Sequence, residues 1–369
     1  MRVLHVYSGN LFGGIETMLI TLARCRNLCP EMEPHFAVCF EGRLSEELRT
    51  TGAPVHMLGA VRTSRPLSVL RARQALAQVL REENPDVVIC HGAWSLSIFG
   101  PIARKAALPV VFWLHGPTNG KHWLERWARR TPPELAICNS DYTASTVKNL
   151  FVNVRTEVNY CPVMIKKRVT HGKDRLAIRD ELNTSKDSVV IIQVSRMEPL
   201  KGHRLHLRAL EALRDSADWV CWFVGGGQRP HELEYLDELR ATAESAGVAD
   251  RVRFVGERSD VHHVLAAADI FCQPNIGPEG FGLTFIEALG SGLPVVTTAL
   301  GGAKEIVNES CGFLIPSNDA PALTDVLRGL INNRTLRSEL GAAGAQRARE
   351  LCDPASQIQR LHRTLATLA

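Results

Sequence analysis

Short apolar runs of strand length alternate with stretches of helical periodicity from one end of the chain to the other, the pattern that produces parallel sheets covered by helices on both faces. In the first part, strand-like runs occupy residues 3–7, 36–40, 55–58, 87–90, 110–114 and 135–138. Between them the helical period is clearest over 66–83, where Pro66 suits a first turn and apolar residues recur at three and four. The pattern then breaks. Residues 166–188 are polar and charged, with one short helical piece around 175–182, and read as a linker. Strand-like runs resume at 189–194, 220–224, 252–255, 270–273, 294–297 and 313–315, again separated by helices. From residue 320 the pattern is helical to the end, with a break and restart at Cys352-Asp353-Pro354. The expected fold class is α/β, with doubly wound domains over 1–165 and 189–352 and a last helix over about 353–369 free to pack back on the first. Ligands of open α/β sheets bind beyond the carboxyl ends of the strands, so the two domains are expected to face each other across a cleft that holds the chemistry.

Length and composition agree with two cores. The chain has 369 residues, more than a single hydrophobic core usually supports, and 45 % hydrophobic with 22 % charged residues excludes disorder. The apolar start, Arg2 to Tyr7, is too short for a signal-peptide core, and no run of about 18 apolar residues occurs. A cytoplasmic location is expected. Ten cysteines are scattered singly without a Cys-x-x-Cys pair, which suggests reduced, mostly buried thiols. The net charge of +4 is carried by the first 160 residues, an excess too modest for nucleic acid but able to face an anionic acceptor or membrane surface.

Four loops, each just after a strand-like run, carry groups suited to a ligand with phosphates and hydroxyls. Gly13-Gly14 opens an apolar helix; glycines admit a ligand to the backbone and the helix start offers free N–H groups, although a tight turn without a ligand explains the pair equally well. His115 leaves the run 110–114 and could donate to a substrate oxygen, a structural histidine being the commoner case. Arg196 and Lys201 flank a strand-to-helix turn, where a planar fork and a point charge would clamp a diphosphate; two incidental bases in a solvated loop are the alternative. The segment 278–288, Pro-Glu-Gly-Phe-Gly-Leu-Thr-Phe-Ile-Glu-Ala, says most. Glu279 and Glu287 each offer two acceptor oxygens to neighbouring hydroxyls, and Glu287 lies in a stretch apolar enough that an unpaired charge is costly. Gly280 and Gly282 would let a helix tip, with amides at Leu283 and Thr284, approach phosphates.

In this order the segments resemble the family 4 glycosyltransferases of the GT-B superfamily, and the likeness runs over nearly the whole chain. Glu279 and Glu287 have the spacing of the family's Glu-x7-Glu motif, with GFGL and EALGSGLPVV as its flanks. QVSRMEPLKGH matches the upstream Arg…Lys-Gly segment, and FVGGG at 223–227 and RVRFVGERSDV at 251–261 fill the intervening positions. The resemblance implies two Rossmann-like domains and a hexosyltransferase-type enzyme. Its substrates would be a nucleotide-diphosphate sugar, UDP-linked ahead of GDP-linked, and a hydroxyl of a glycan, lipid-linked or small-molecule acceptor. By position it assigns Arg196 and Lys201 to the diphosphate, Glu287 to the ribose, and Glu279 with the amides of Phe281 and Gly282 to the transferred sugar. Gly13 and Gly14 would lie near phosphate or sugar, His115 near the sugar's exocyclic oxygen, and the loop from Gly256 to Arg258 against the base. Two departures are Ser195, where a glycine is common, and Tyr160-Cys161-Pro162-Val163, where an Asn-Gly turn is common.

Cleavage of such a donor builds negative charge on the departing phosphate, which fixed cations and helix amides can hold. The chain has no Asp-x-Asp metal anchor, so neither a metal ion nor a cofactor is expected. The resemblance also implies retention by front-face attack, in which the two glutamates bind hydroxyls and need not titrate. On the acceptor side, Trp123 and Trp127 spaced by four, with Lys121 and Arg126 and with Glu16 of the first helix, suggest either a helix docking on anionic lipid at the inner membrane face or a core-packed helix with solvated bases. Nucleotide-sugar epimerases, pyridoxal-dependent phosphorylases and non-catalytic sugar-nucleotide-binding subunits share the architecture. A dehydrogenase fits poorly, because 223–227 lacks the G-x-G-x-x-G spacing.

Overall fold

In the computed structural model, which describes residues 1–165, 172–216 and 218–368, the first apolar runs become β1 (Arg2–Tyr7), β2 (Glu33–Val38), β3 (Val55–Met57), β4 (Val87–His91), β5 (Val110–Leu114) and β6 (Leu135–Cys138). A further strand, β7 (Arg155–Val158), is absent from the sequence expectation. It is a partly exposed edge strand, and Arg-Thr-Glu-Val lacks the apolar run that marks strands covered on both faces. These seven strands pair in parallel in the order β3-β2-β1-β4-β5-β6-β7. The later runs become β8 (Val189–Val194), β9 (Trp219–Val224), β10 (Val252–Gly256), β11 (Ile270–Gln273), β12 (Val295–Thr298) and β13 (Gly312–Ile315), in the order β10-β9-β8-β11-β12-β13.

Each sheet is doubly wound and Rossmann-like, and each reverses its winding once, between β1 and β4 in the first and between β8 and β11 in the second. Loops leaving the carboxyl ends of strands at such a switch point diverge and leave a crevice for a ligand. The residues singled out at Gly13, His115, Arg196, Lys201 and Glu279 all follow a strand at or beside one of these points.

The chain divides into one unit of Met1–Met164 with Cys352–Ala369 and a second of Ile165–Leu351. Of the expected linker, 166–171 lie outside the described residues, while 172–188 belong to the second unit. Their polar composition conceals how they are held. On the helix Gly172–Glu181, buried Arg179 donates to the carbonyls of Ala267 (3.0 Å), Ser185 (3.0 Å) and Ser188 (2.9 Å) and to Asp269 (2.7 Å). Arg175 takes the other oxygen of Asp269 at 2.7 Å. Guanidinium hydrogen bonds therefore do the work that an apolar face would otherwise do, and no hydrophobic period records them.

The tail forms the helices Ala320–Asn332, Arg334–Cys352 and Pro354–Leu365, with Asp353 accepting from Ser356 N (2.9 Å) to cap the last. That last helix lies in the first unit, burying Ile358, Leu361 and Leu365, while Cys352 O accepts from Val163 N at 3.0 Å. No helix among the described residues is long and apolar enough to cross a membrane.

Candidate functional site

In the second unit the loop after β8 is shaped by close packing. Gly202 has φ +75°, and a Cβ there would stand 1.8 Å from the Pro274 carbonyl, so glycine is what lets this loop lie against the one after β11. The contact carries Lys201 onto Glu279, with Nζ 3.0 Å from Oε1 and 2.7 Å from Oε2, and Asn275 Nδ2 donates to the same carboxylate at 3.3 Å. Behind the loop, buried Gln193 donates from Nε2 to the Lys201 carbonyl (2.9 Å) and offers Oε1 to His206 Nδ1 (3.0 Å). Ser195 Oγ faces His203 Nε2 at 3.1 Å. Burial pushes both histidines down to about 3, so they stay neutral and add no charge behind the lysine. Arg196, 37 % exposed, pairs with Glu198 (2.9 Å) and more loosely with fully buried Glu232 (3.7 Å).

Glu279 is seated by a second close approach. Gly301 has φ +59°, its Cβ position lies 2.2 Å from the Glu279 carbonyl, and that carbonyl accepts from Gly302 N at 3.0 Å. Gly280 and buried Phe281 lead to Gly282, which caps the helix Leu283–Gly290 with no side-chain cap hydrogen bond. Leu283 and Thr284 are partly exposed residues, and as first-turn positions their amides have no partner within the helix and can meet an anion. Glu287 stands one turn further along. Among the described residues its carboxylate makes no hydrogen bond or ion pair, and burial raises it from the ordinary 4.5 to about 7.

Gly256 ends β10 with φ +80°, and its carbonyl accepts from Gly225 N at 2.8 Å. Arg258, expected against the base, has its guanidinium committed elsewhere. It grips both oxygens of Asp260 at 2.7 Å and also pairs with Glu181, so it ties the helix Gly172–Glu181 to the loop after β10. Those partners hold it more firmly protonated than usual.

In the first unit Gly13 caps the helix Gly14–Arg24 in an extended backbone conformation, with φ −172° and no side-chain cap. Gly14 is exposed, whereas Glu16, expected on the acceptor side, is buried within the first turn. His115 stands at the end of β5, where its carbonyl accepts from Asn139 Nδ2 at 3.0 Å and its Nε2 lies 2.9 Å from His91 Nδ1. The Trp segment divides between the two expectations. On the short helix Trp123–Ala128, Trp127 packs against the core, while Trp123 is 48 % exposed beside exposed Lys121 and Arg126. The two rings stack with centroids 6.2 Å apart.

Sequence reasoning missed Glu232, Asn275, Gln193, His203, His206 and His91, which hold the singled-out groups in place. Gln193 and Asn275 had a signal, being polar groups at or just after the ends of apolar strands; Glu232 sits in an ordinary-looking polar helix and had none. One group among the described residues has metal-ligand spacing, His35, His56 and Glu83, with ligand atoms within 4.8 Å of one another. It lies at the β2–β3 edge of the first sheet, away from the β1/β4 switch point of that sheet.

Two Rossmann-like units with their polar loops at the switch points of parallel sheets define a GT-B protein. Residues 12–167 match the model of glycosyltransferase family 4 and residues 174–347 that of the glycosyl transferases group 1. The chain belongs to this glycosyltransferase family. A phosphatidyl-myo-inositol mannosyltransferase of Mycobacterium leprae is 35 % identical over 176 residues, 46 % of this chain and 45 % of that enzyme. A GDP-mannose-dependent monoacylated alpha-(1-6)-phosphatidylinositol monomannoside mannosyltransferase of Corynebacterium glutamicum is 29 % identical over 287 residues, 73 % of each chain. Among solved structures, Anabaena HepE in complex with UDP and glucose superposes with a TM-score of 0.87 over all of both chains at 24 % identity, a likeness of fold.

Proposed function

We propose that the chain transfers a mannosyl group from GDP-mannose to an inositol-containing phospholipid or a related inositol phosphate, with retention and without a metal ion, working at the cytoplasmic face of a membrane. The observation that carries the transfer chemistry is the Lys201–Glu279 pair, set at the β8/β11 switch point, with Glu279 four residues before a helix start that has no side-chain cap. A cation and free amides suit a departing diphosphate, and the neighbouring carboxylate suits hydroxyls of the sugar. Arg196 adds a second cation, and Glu287, without a side-chain partner among the described residues, suits the ribose.

The sugar and base follow the relatives. The mannosyltransferases named above favour mannose, and the GDP-mannose-dependent relatives of Corynebacterium glutamicum and of Mycolicibacterium smegmatis, each at 29 % identity, favour GDP-mannose over the UDP-sugar expected from the sequence. A lipid acceptor agrees with the exposed Trp123 and its cationic neighbours. The test is transfer from GDP-mannose to phosphatidylinositol in excess EDTA, with the anomeric configuration of the product read by NMR. Product of α configuration, unaffected by EDTA, is expected. Preference for UDP-glucose would overturn the donor, and complete loss on chelation would overturn the metal-free reading.

A further inference from the structure

Three histidines form a hydrogen-bonded line through the first unit and end at His115. On adjacent parallel strands, His5 of β1 is in register with Ile89 of β4, and His91 of β4 with Trp113 of β5. Each histidine therefore stands two residues nearer the strands' carboxyl ends than the one before, which keeps all three on one face. His5 Nδ1 lies 3.0 Å from His91 Nε2, and His91 Nδ1 lies 2.9 Å from His115 Nε2. The rings are nearly parallel, with centroids 5.2 Å apart at both steps, and Trp113 stacks on His91 and His115.

The geometry points to His5 and His91 as positioning residues that fix the tautomer of His115, so that its outward Nδ1 carries a proton and presents a hydrogen-bond donor to the hexosyl group. A neutral imidazole has one N–H and one lone pair, so an unbroken line of three has only two wirings. Burial first, and then the neighbouring imidazoles, hold His5 and His115 down at about 3 and His91 well below its ordinary value, so all three are neutral. The inner end decides the direction. His5 Nε2 is buried without a hydrogen-bond partner among the described residues. If the protons pointed inward, an N–H would be orphaned there; if they point outward, only a lone pair is, and buried orphan N–H groups are the rarer defect. Outward wiring runs from His5 Nδ1–H to His91 Nε2 and from His91 Nδ1–H to His115 Nε2, leaving His115 Nδ1–H at the strand end. A neutral donor suits this place, because it holds a sugar oxygen without setting a full positive charge beside the oxocarbenium-like carbon of the transition state.

The inference rests on the proposed hexosyl transfer, with His115 near the sugar as the family resemblance implies, and the experiment separates the two. Long-range 1H–15N correlation spectra of the full-length, 15N-histidine-labelled protein, with His115→Gln as the assignment control, should show His115 protonated at Nδ1 only and unchanged from pH 6 to 8. An Nε2–H tautomer, or an imidazolium at pH 7, overturns the relay. In kinetics, His91→Leu removes the N–H that faces His115 and should lower kcat about tenfold with little change in the KM for the sugar nucleotide. His91→Asn, whose amide can replace that donor, should recover most of the loss. Equal losses in both variants would make His91 a packing residue and overturn the relay's function. Unchanged turnover in His115→Ala would overturn the sugar contact itself, leaving the spectra to report on the relay alone.

Discussion

Lys201 Nζ sits 2.7 Å from Glu279 Oε2, so the cation proposed to grip the diphosphate is held by the carboxylate proposed to grip the sugar. Both side chains are mostly buried, and Asn275 Nδ2 donates to the same Oε2 at 3.3 Å. The pair is therefore a preorganised seat that needs no large movement to meet phosphate on one side and hydroxyls on the other.

Removing the lysine should cost turnover well beyond its share of binding. Lys201→Ala and Arg196→Ala are each expected to lower kcat by about a hundredfold or more, because the charge they meet grows only as the bond breaks. Glu279→Gln, which keeps acceptor capacity, should lose less than Glu279→Ala. Steady-state turnover of GDP-mannose measures all four, and losses below about threefold in both cation variants would exclude the clamp.

Glu287 predicts a pH dependence. Its carboxyl is raised by burial to about 7, so between the ordinary 4.5 and about 7 the ligand-free fold holds a proton that the unfolded chain has released, and its contribution to stability falls as pH rises through that window. Binding runs the other way, since an ionised carboxylate accepts ribose hydroxyls best. The affinity for GDP-mannose should rise about tenfold from pH 6 to pH 8, and Glu287→Gln should flatten the slope. Calorimetric titration at three pH values decides the point; an unchanged slope in the variant would assign the titration to another group.

Arg179 should matter for stability although it touches no candidate ligand contact. Its side chain is 1 % exposed and shares Asp269 with Arg175. Arg179→Met strands part of that carboxylate and the carbonyls of Ala267, Ser185, Lys186 and Ser188, and urea denaturation should show a loss of about 3 kcal/mol. A loss under about 1 kcal/mol would mean that Arg175 alone holds the segment.

The exposed Trp123 gives a membrane prediction. Sedimentation with anionic phosphatidylinositol vesicles should retain the protein, and Trp123→Ala combined with Arg126→Glu should release most of it while leaving the thermal transition unchanged. Wild-type protein that stays in the supernatant would remove the membrane from the proposal.

The alternation of strands and helices was readable along the chain because burial on both faces of a parallel strand leaves a local apolar run, and a helix leaves a local period. Twelve of the thirteen strands among the described residues are recoverable this way, and the Glu279–Glu287 segment stood out because a charge in an apolar helix is visible in one window. The edge strand β7 and the segment 172–188 were not, since neither is held by an apolar face.

What the amino-acid order determined by itself was the two doubly wound domains and the residue types at their strand ends. Only the tertiary structure decided which charges meet. Lys201 finds Glu279 across 78 positions, Arg258 turns to Asp260 and Glu181, and His5, His91 and His115 align across three strands. Such pairings depend on sheet order and on glycine-permitted contact between loops, which couple residues remote in sequence and leave no periodic trace in it.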